Sequence, residues 1–191
     1  MNFIRTNIPE IIIIEPIVHG DERGYFIETF RQDKLEAYLG YKVNFCQDNE
    51  SRSRHGVLRG LHYQLPPFSQ SKPVRVIDGK VLDVAVDIRV GSPTFGMHAA
   101  VELSGKNKKQ MFIPRGFAHG FLVLSETCTF MYKVDNYYAP AYDRGIAYND
   151  ETLAIDWQIS FDKLQLSEKD TKQPTLGSVT EFYKYGVDYY V

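Results

Sequence analysis

Cysteine is nearly absent from this chain: two residues in 191, with a single tryptophan. Cys46 and Cys128 lie far apart and match no metal-ligand spacing, so they read as buried reduced thiols of a cytoplasmic protein, not a disulfide framework. Histidine is also sparse, at five, and no two histidines are separated by one residue: Tyr63 and Gln64 follow His62. The apolar run Ile11 to Ile14 is far shorter than the roughly 20 residues a membrane span requires, and Met1 to Arg5 lacks the basic start and apolar stretch of a secretory leader. No glycine-rich phosphate loop or dinucleotide fingerprint sits between a strand and a helix, which argues against a nucleotide cofactor bound in the Rossmann manner. A strong excess of one charge is missing too: 22 Lys and Arg face 24 Asp and Glu. That balance speaks against nonspecific nucleic-acid binding and leaves room for a local basic pocket that takes a phosphate.

What the chain does have is length for one well-buried core, read as one domain over 1–191, and many aromatics: 13 Tyr and 12 Phe. Strand signals dominate. The β-branched run Ile11 to Glu15 stops at Pro16, and Tyr25 to Phe30 follows the turn-forming Gly20 to Gly24. One helix is expected over Arg31 to Leu39, with Leu35 and Leu39 on one face and Gly40 to end it. Asn44 to Asn49 reads as a strand. Val74 to Ile77 meets Asp78-Gly79, a hairpin signal, and Lys80 to Arg89 follows. Further strands are expected at His98 to Leu103, Lys109 to Ile113, Phe121 to Leu124, Thr127 to Val134, Gly145 to Tyr148 and Leu153 to Trp157. Turns at short, regular intervals imply a sandwich or barrel. Ser167 and Asp170 have the spacing of a capped helical turn. The aromatic tail from Glu181 to Val191 would be a liability if exposed, so it is expected to pack on the body or on another subunit.

The segment Val57 to Gln64 places a cation, a histidine and an amide on one short strand. Strict alternation would send Arg59, Leu61 and Tyr63 to one face and Leu58, Gly60, His62 and Gln64 to the other. Histidine titrates near ~6.5 when unperturbed, so His62 suits a general base at cellular pH. Such a base needs an orienting carboxylate, for which Asp83, Asp87, Asp143 and Asp170 are all available. Tyr132 is a candidate acid. The cations Arg23, Arg59, Lys72, Arg115 and Lys169 lie beside turns or apolar segments, where convergence would bind a phosphate. Each has a plainer alternative: a core histidine, a core aromatic, a solvated cation. His62 and His119 with a carboxylate could also hold a metal, but Gln64 favours a metal-free site.

Together, Gly20 to Glu28, Gln47 to Asn49, Gly56 to Gln64, Lys72, Pro114 to Leu122 and Tyr132 to Asp143 resemble the dTDP-4-dehydrorhamnose 3,5-epimerase family, in order, from about Ile11 to Asp170. The resemblance implies an all-β, cupin-like jelly roll and a cytoplasmic homodimer that needs no metal or cofactor and contacts neither nucleic acid nor membrane. It implies an isomerase acting on a dTDP-sugar. His62 would be the base, oriented by Asp170; Tyr132 the acid; and Lys72 the group beside the 4-keto oxygen. Arg59 and His119 would contact the diphosphate or sugar, with Arg23, Glu28, Gln47 and Asn49 around the thymidine and phosphates. Tyr138 would stack on thymine, Asp143 would help bind the sugar nucleotide, and Lys169 would contact phosphate. The alternatives are a single-carbon epimerase of a related keto-sugar nucleotide, a metal-dependent cupin enzyme and a noncatalytic sugar-binding cupin.

Overall fold

Two β-sheets face one another in the computed structural model, which describes residues 1–190. In chain order the elements are β1 (Asn2–Arg5), β2 (Ile12–Glu15), β3 (Val18–Asp21), β4 (Gly24–Ile27), α1 (Gln32–Leu39), β5 (Gln47–Arg54), β6 (Leu58–Gln64), β7 (Lys72–Asp78) and β8 (Lys80–Asp87). Then come β9 (Arg89–Val90), β10 (His98–Ser104), β11 (Gln110–Ile113), β12 (Phe117–Val123), β13 (Thr127–Val134), β14 (Asp143–Gly145) and β15 (Tyr183–Lys184). One sheet has the order β1-β2-β11-β7-β13-β5 and the other β10-β8-β12-β6-β14. This is the cupin-like jelly roll that the family resemblance implied, and one form of the sandwich or barrel read from the turn spacing.

Side-chain alternation explains three layers of packing. Between the sheets, Val74 and Val76 of β7 and Phe130 of β13 meet Val81 and Ala85 of β8 and Phe121 of β12. The opposite face of β8, with Leu82, Val84 and Val86, is covered by the last third of the chain through Leu153, Ile155, Trp157 and Tyr183. Both faces of β8 are therefore dry, and its inward Asp83 has no exposure at all. Likewise Ile13 points between the sheets, while Ile12 and Ile14 pack under α1 against Leu35. Burying Leu35 contributes about 1.5–3 kcal/mol, and the helix ends where Gly40 takes a left-handed φ of 81°.

Four local expectations are corrected. The Asp78-Gly79 turn joins no hairpin: β7 and β8 belong to different sheets, and the chain crosses between them there. Gly79 has φ +86°, and a Cβ on it would lie 2.2 Å from the carbonyl oxygen of Thr127, so the glycine serves a close crossing. Leu153 to Trp157 is not a strand. Those three apolar side chains are buried at alternate positions, but Asp150 accepts the backbone N–H groups of Thr152 and Leu153 and coils the chain. The strand expected at Asn44 to Asn49 instead runs Gln47–Arg54. It is a sheet edge, where alternating exposed charges (Asp48, Glu50, Arg52, Arg54) guard against edge pairing.

The fourth correction decides the site. Arg59 and His62 do not face opposite ways. His62 pairs with His119 and Arg59 with Phe121, so three steps on β6 match two on β12. The extra residue is a β-bulge at Gly60 (φ +118°), which turns Arg59 and His62 to the same inner face and leaves Leu58, Leu61 and Tyr63 outside.

Candidate active site

A cavity of about 550 Å³ lies between the sheets. The five-stranded sheet supplies Arg59 and His62 from β6 and His119 and Phe121 from β12. The facing sheet supplies Asn49 and Ser51 from β5, Lys72 from β7, and Phe130 and Tyr132 from β13. Ser167 and Asp170 close it from the C-terminal third.

Nε2 of His62 is 2.5 Å from Oδ1 of Asp170, whose side chain is 3% exposed. The other carboxylate oxygen accepts the hydroxyl of Ser167 at 2.8 Å, and that hydroxyl oxygen accepts the backbone N–H of Asp170 at 3.1 Å. The Ser-x-x-Asp spacing thus works as a turn cap that also clamps the carboxylate. Burial opposes a charge on Asp170, yet the hydrogen bond and charge of His62, with help from Ser167 and Lys169, hold its pKa below the usual carboxylate range. An ionised carboxylate only accepts, so Nε2 carries the proton and Nδ1 is the free basic nitrogen.

A second pair stands on the neighbouring strand. Nε2 of His119 lies 3.0 and 3.1 Å from the two oxygens of Asp83. Phe130 is parallel to the His119 ring and stacks closely on Phe121, with centroids 4.1 Å apart. Of the four carboxylates available in the sequence, Asp170 and Asp83 each meet a histidine. Asp87 is instead absorbed by Arg89, Ser92 and Thr94.

Opposite His62, burial raises the pKa of the Tyr132 phenol, partly offset by the charge of Arg59. Burial pushes the Lys72 ammonium down to about 8, against the pull of Asp143, Asp83 and Asp135. The guanidinium of Arg59 is tethered to Ser53 at 3.2 Å. Gln47 lies one turn of the pleat away from the cavity and donates to Asn49 at 2.7 Å.

Other residues fall elsewhere. Tyr138 is exposed and donates to Asp143 at 2.9 Å, and Lys169 bonds the same carboxylate oxygen, forming a cluster beside the cavity. Arg23 sits on the exposed β3–β4 hairpin paired with Asp21, and Glu28 pairs with Arg31 and Lys34; this chain brings neither to its own cavity. Sequence reasoning missed Ser51, Phe121 and Phe130 as walls, and did not rank Asp83. A charge between Val81 and Ala85 on an inward stripe was the available signal for Asp83.

The family described as dTDP-4-dehydrorhamnose 3,5-epimerase matches residues 5–178, nearly the whole chain. The chain belongs to that family. It is 54% identical over 176 residues to the dTDP-4-dehydrorhamnose 3,5-epimerase of Escherichia coli (strain K12), covering 92% of this chain and 95% of that one. A Legionella pneumophila dTDP-6-deoxy-D-glucose-3,5-epimerase, crystallised with dTDP-4-keto-L-rhamnose, superposes with TM-score 0.93 at 50% identity, covering 97% and 99% of the two chains. A 3'-monoepimerase from Streptomyces bikiniensis, solved with dTDP-quinovose, is similar at TM-score 0.86 and 33% identity, covering 91% and 87%. The enzyme is thus an isomerase, and the resemblance read from its motifs extends over both sheets.

Proposed function

We propose that the enzyme converts dTDP-4-dehydro-6-deoxy-D-glucose to dTDP-4-dehydro-L-rhamnose by inverting C3 and C5, with His62 as base, Tyr132 as acid and Lys72 as counter-charge. The observation that carries this reading is the opposition of His62 and Tyr132 across one cavity, each rooted in a different sheet. The 4-keto group acidifies the protons on both flanking carbons. Nδ1 of His62 takes one of these protons, and the C–H electrons move into the enolate. The imidazolium is held by the Asp170 carboxylate, and the oxyanion by the ammonium of Lys72. The phenol of Tyr132 then gives a proton to the same carbon from the far side, which inverts it. Solvent then takes the proton from the His62 imidazolium and returns one to the Tyr132 phenolate, and the cycle repeats at the second carbon. No oxidation state changes, so the chemistry calls for no redox cofactor.

The nucleotide supplies binding energy that seats the sugar. Arg59 and His119 serve its diphosphate or sugar, and Asn49 and Gln47 stand on the edge strand beside it. Tyr138, Asp143 and Lys169 serve the thymine and phosphate end. A homodimer supplies what one chain lacks. Seven of the eight residues of the β3–β4 hairpin are exposed, and it carries exposed apolar side chains on both faces, Val18 and Tyr25 on one and Phe26 on the other, which a second copy would cover. Docked there, the hairpin delivers Arg23 to the neighbouring cavity, with Glu28 just behind it. Free thiols at Cys128, which is buried, and at Cys46, which is exposed and not buried as expected, suit a reducing cytoplasm.

Incubation of dTDP-4-keto-6-deoxyglucose with the enzyme in deuterium oxide tests the reading. Deuterium is expected at both C3 and C5. Exchange at one carbon alone would make it a single-carbon epimerase, as the similar monoepimerase fold allows; exchange at neither would end the proton-transfer reading.

A further inference from the structure

We infer that Tyr190, in the C-terminal tail, is a positioning residue for Lys72. The inference rests on the role given to Lys72 above. The sequence alone left open whether the aromatic tail packs on the body or on another subunit. In this chain Tyr189 and Tyr190 return to the body and meet the ends of two adjacent strands, β11 and β7, through Arg115 and Ser71, which Asp135 at the end of β13 also binds.

The hydroxyl of Tyr190 lies 2.7 Å from Oγ of Ser71 and accepts the backbone N–H of Arg115 at 3.2 Å. Asp135, directly after β13, accepts the backbone N–H of Ser71 at 2.5 Å and Nε of Arg115 at 3.1 Å. The Arg115 guanidinium also bonds the carbonyl of Tyr189 and lies over the Tyr190 ring, 4.9 Å from its centroid. Ser71 is completely buried and immediately precedes Lys72. Its N–H and hydroxyl are therefore both held from the side away from the cavity, one by Asp135 and one by Tyr190.

The chemistry requires such a brace. Lys72 must hold its ammonium against an oxyanion that exists only during the reaction, and small displacements of a charge from a developing oxyanion are costly. Lys72 enters the cavity from the first residue of its strand, where the ladder begins and its neighbour on one side is loop. Tyr190 fixes that side. It touches neither His62 nor Arg59, so its influence on catalysis runs through Ser71 and Lys72.

Steady-state kinetics of Tyr190→Phe test this, with Ser71→Ala as a companion that removes the same bond from the other end. The ring of Phe keeps the packing, so folding is preserved. We expect kcat about tenfold lower, as loss of the Tyr190 hydroxyl and the hydrogen bonds it makes to Ser71, Arg115 and Tyr41 is expressed in the transition state, with KM within about twofold of the parent. In a Lys72→Ala background, adding Tyr190→Phe is expected to change residual solvent exchange no further, because coupled residues are non-additive. An unchanged kcat in both variants overturns the inference, and so does a Tyr190→Phe effect that persists undiminished without Lys72. If Lys72→Ala itself keeps parental turnover, the role given to Lys72 fails and the inference with it. If Lys72→Ala loses turnover while Tyr190→Phe does not, the tail inference fails alone.

Discussion

Oδ1 of Asp170 stands 2.5 Å from Nε2 of His62, although 108 residues separate them in the chain. That contact fixes which imidazole nitrogen faces the cavity. In Asp170→Asn the amide can satisfy Nε2 either as donor or as acceptor, and the imidazolium loses its counter-charge. Turnover should fall by about 10²-fold or more, with KM little changed and far-ultraviolet circular dichroism intact. A variant within about threefold of the parent would detach Asp170 from the base.

The two walls of the cavity should separate in an isotope experiment. His62→Ala should lose both epimerisation and deuterium exchange by about 10²-fold or more. Tyr132→Phe should lose epimerisation by a similar factor while exchange survives, because abstraction and return on the base side remain possible. Equal loss of both processes in Tyr132→Phe would contradict its assignment as the far-side acid.

A descending limb is expected in the pH profile. Burial pushes Lys72 down to about 8, and the charged ammonium is the form proposed to hold the oxyanion. Its charged fraction therefore falls as pH rises through about 8, and kcat should fall with it. Lys72→Ala should be slower throughout and lack that limb. A parental kcat that stays flat to pH 10 would remove the ammonium from the rate-determining step.

Gly60 is where the strand alternation breaks, and it tolerates no side chain. A Cβ there would sit 2.6 Å from both the Cα of Gly120 and the carbonyl oxygen of His119, at φ +118°. Gly60→Ala should cost about 2 kcal/mol or more, read as a melting temperature lowered by about 5 °C or more. Activity should fall beyond the loss of folded protein, since Arg59 and His62 share a face only through this bulge. An alanine variant with parental melting and turnover would disprove the need for glycine.

Phe26 is 67% exposed on the apolar hairpin. Phe26→Ser should weaken the proposed homodimer by about tenfold or more, seen by sedimentation as dissociation on dilution, with specific activity falling as monomer accumulates. Full activity in the monomer would show that Arg23 is not supplied from a partner.

Much of this was legible before the structure, for physical reasons that differ by element. The helix was marked by two leucines four apart and a terminating glycine, both local signals. Ser167 and Asp170 were legible as a cap because capping is also local. The bulge at Gly60 was not, since a glycine inside a strand leaves open whether the pairing shifts. The Asp78-Gly79 crossing was misread because turn chemistry specifies backbone angles and not which sheet receives the next strand. Asp83 could not be ranked because both faces of β8 are apolar, so alternation alone does not say which face turns between the sheets; the cover for the outer face comes from residues 70 or more positions away. The placement of Arg23 away from its own cavity has no sequence signal at all.

The carboxylate bonded to His62 follows the two sheets in synthesis. All eleven strands of the two facing sheets are encoded before Asp170, so a growing polypeptide reaches nearly its full jelly-roll complement while the imidazole of His62 still lacks its partner. A nascent chain that has not yet reached Asp170 thus carries a nearly full set of walls around an imidazole without its carboxylate.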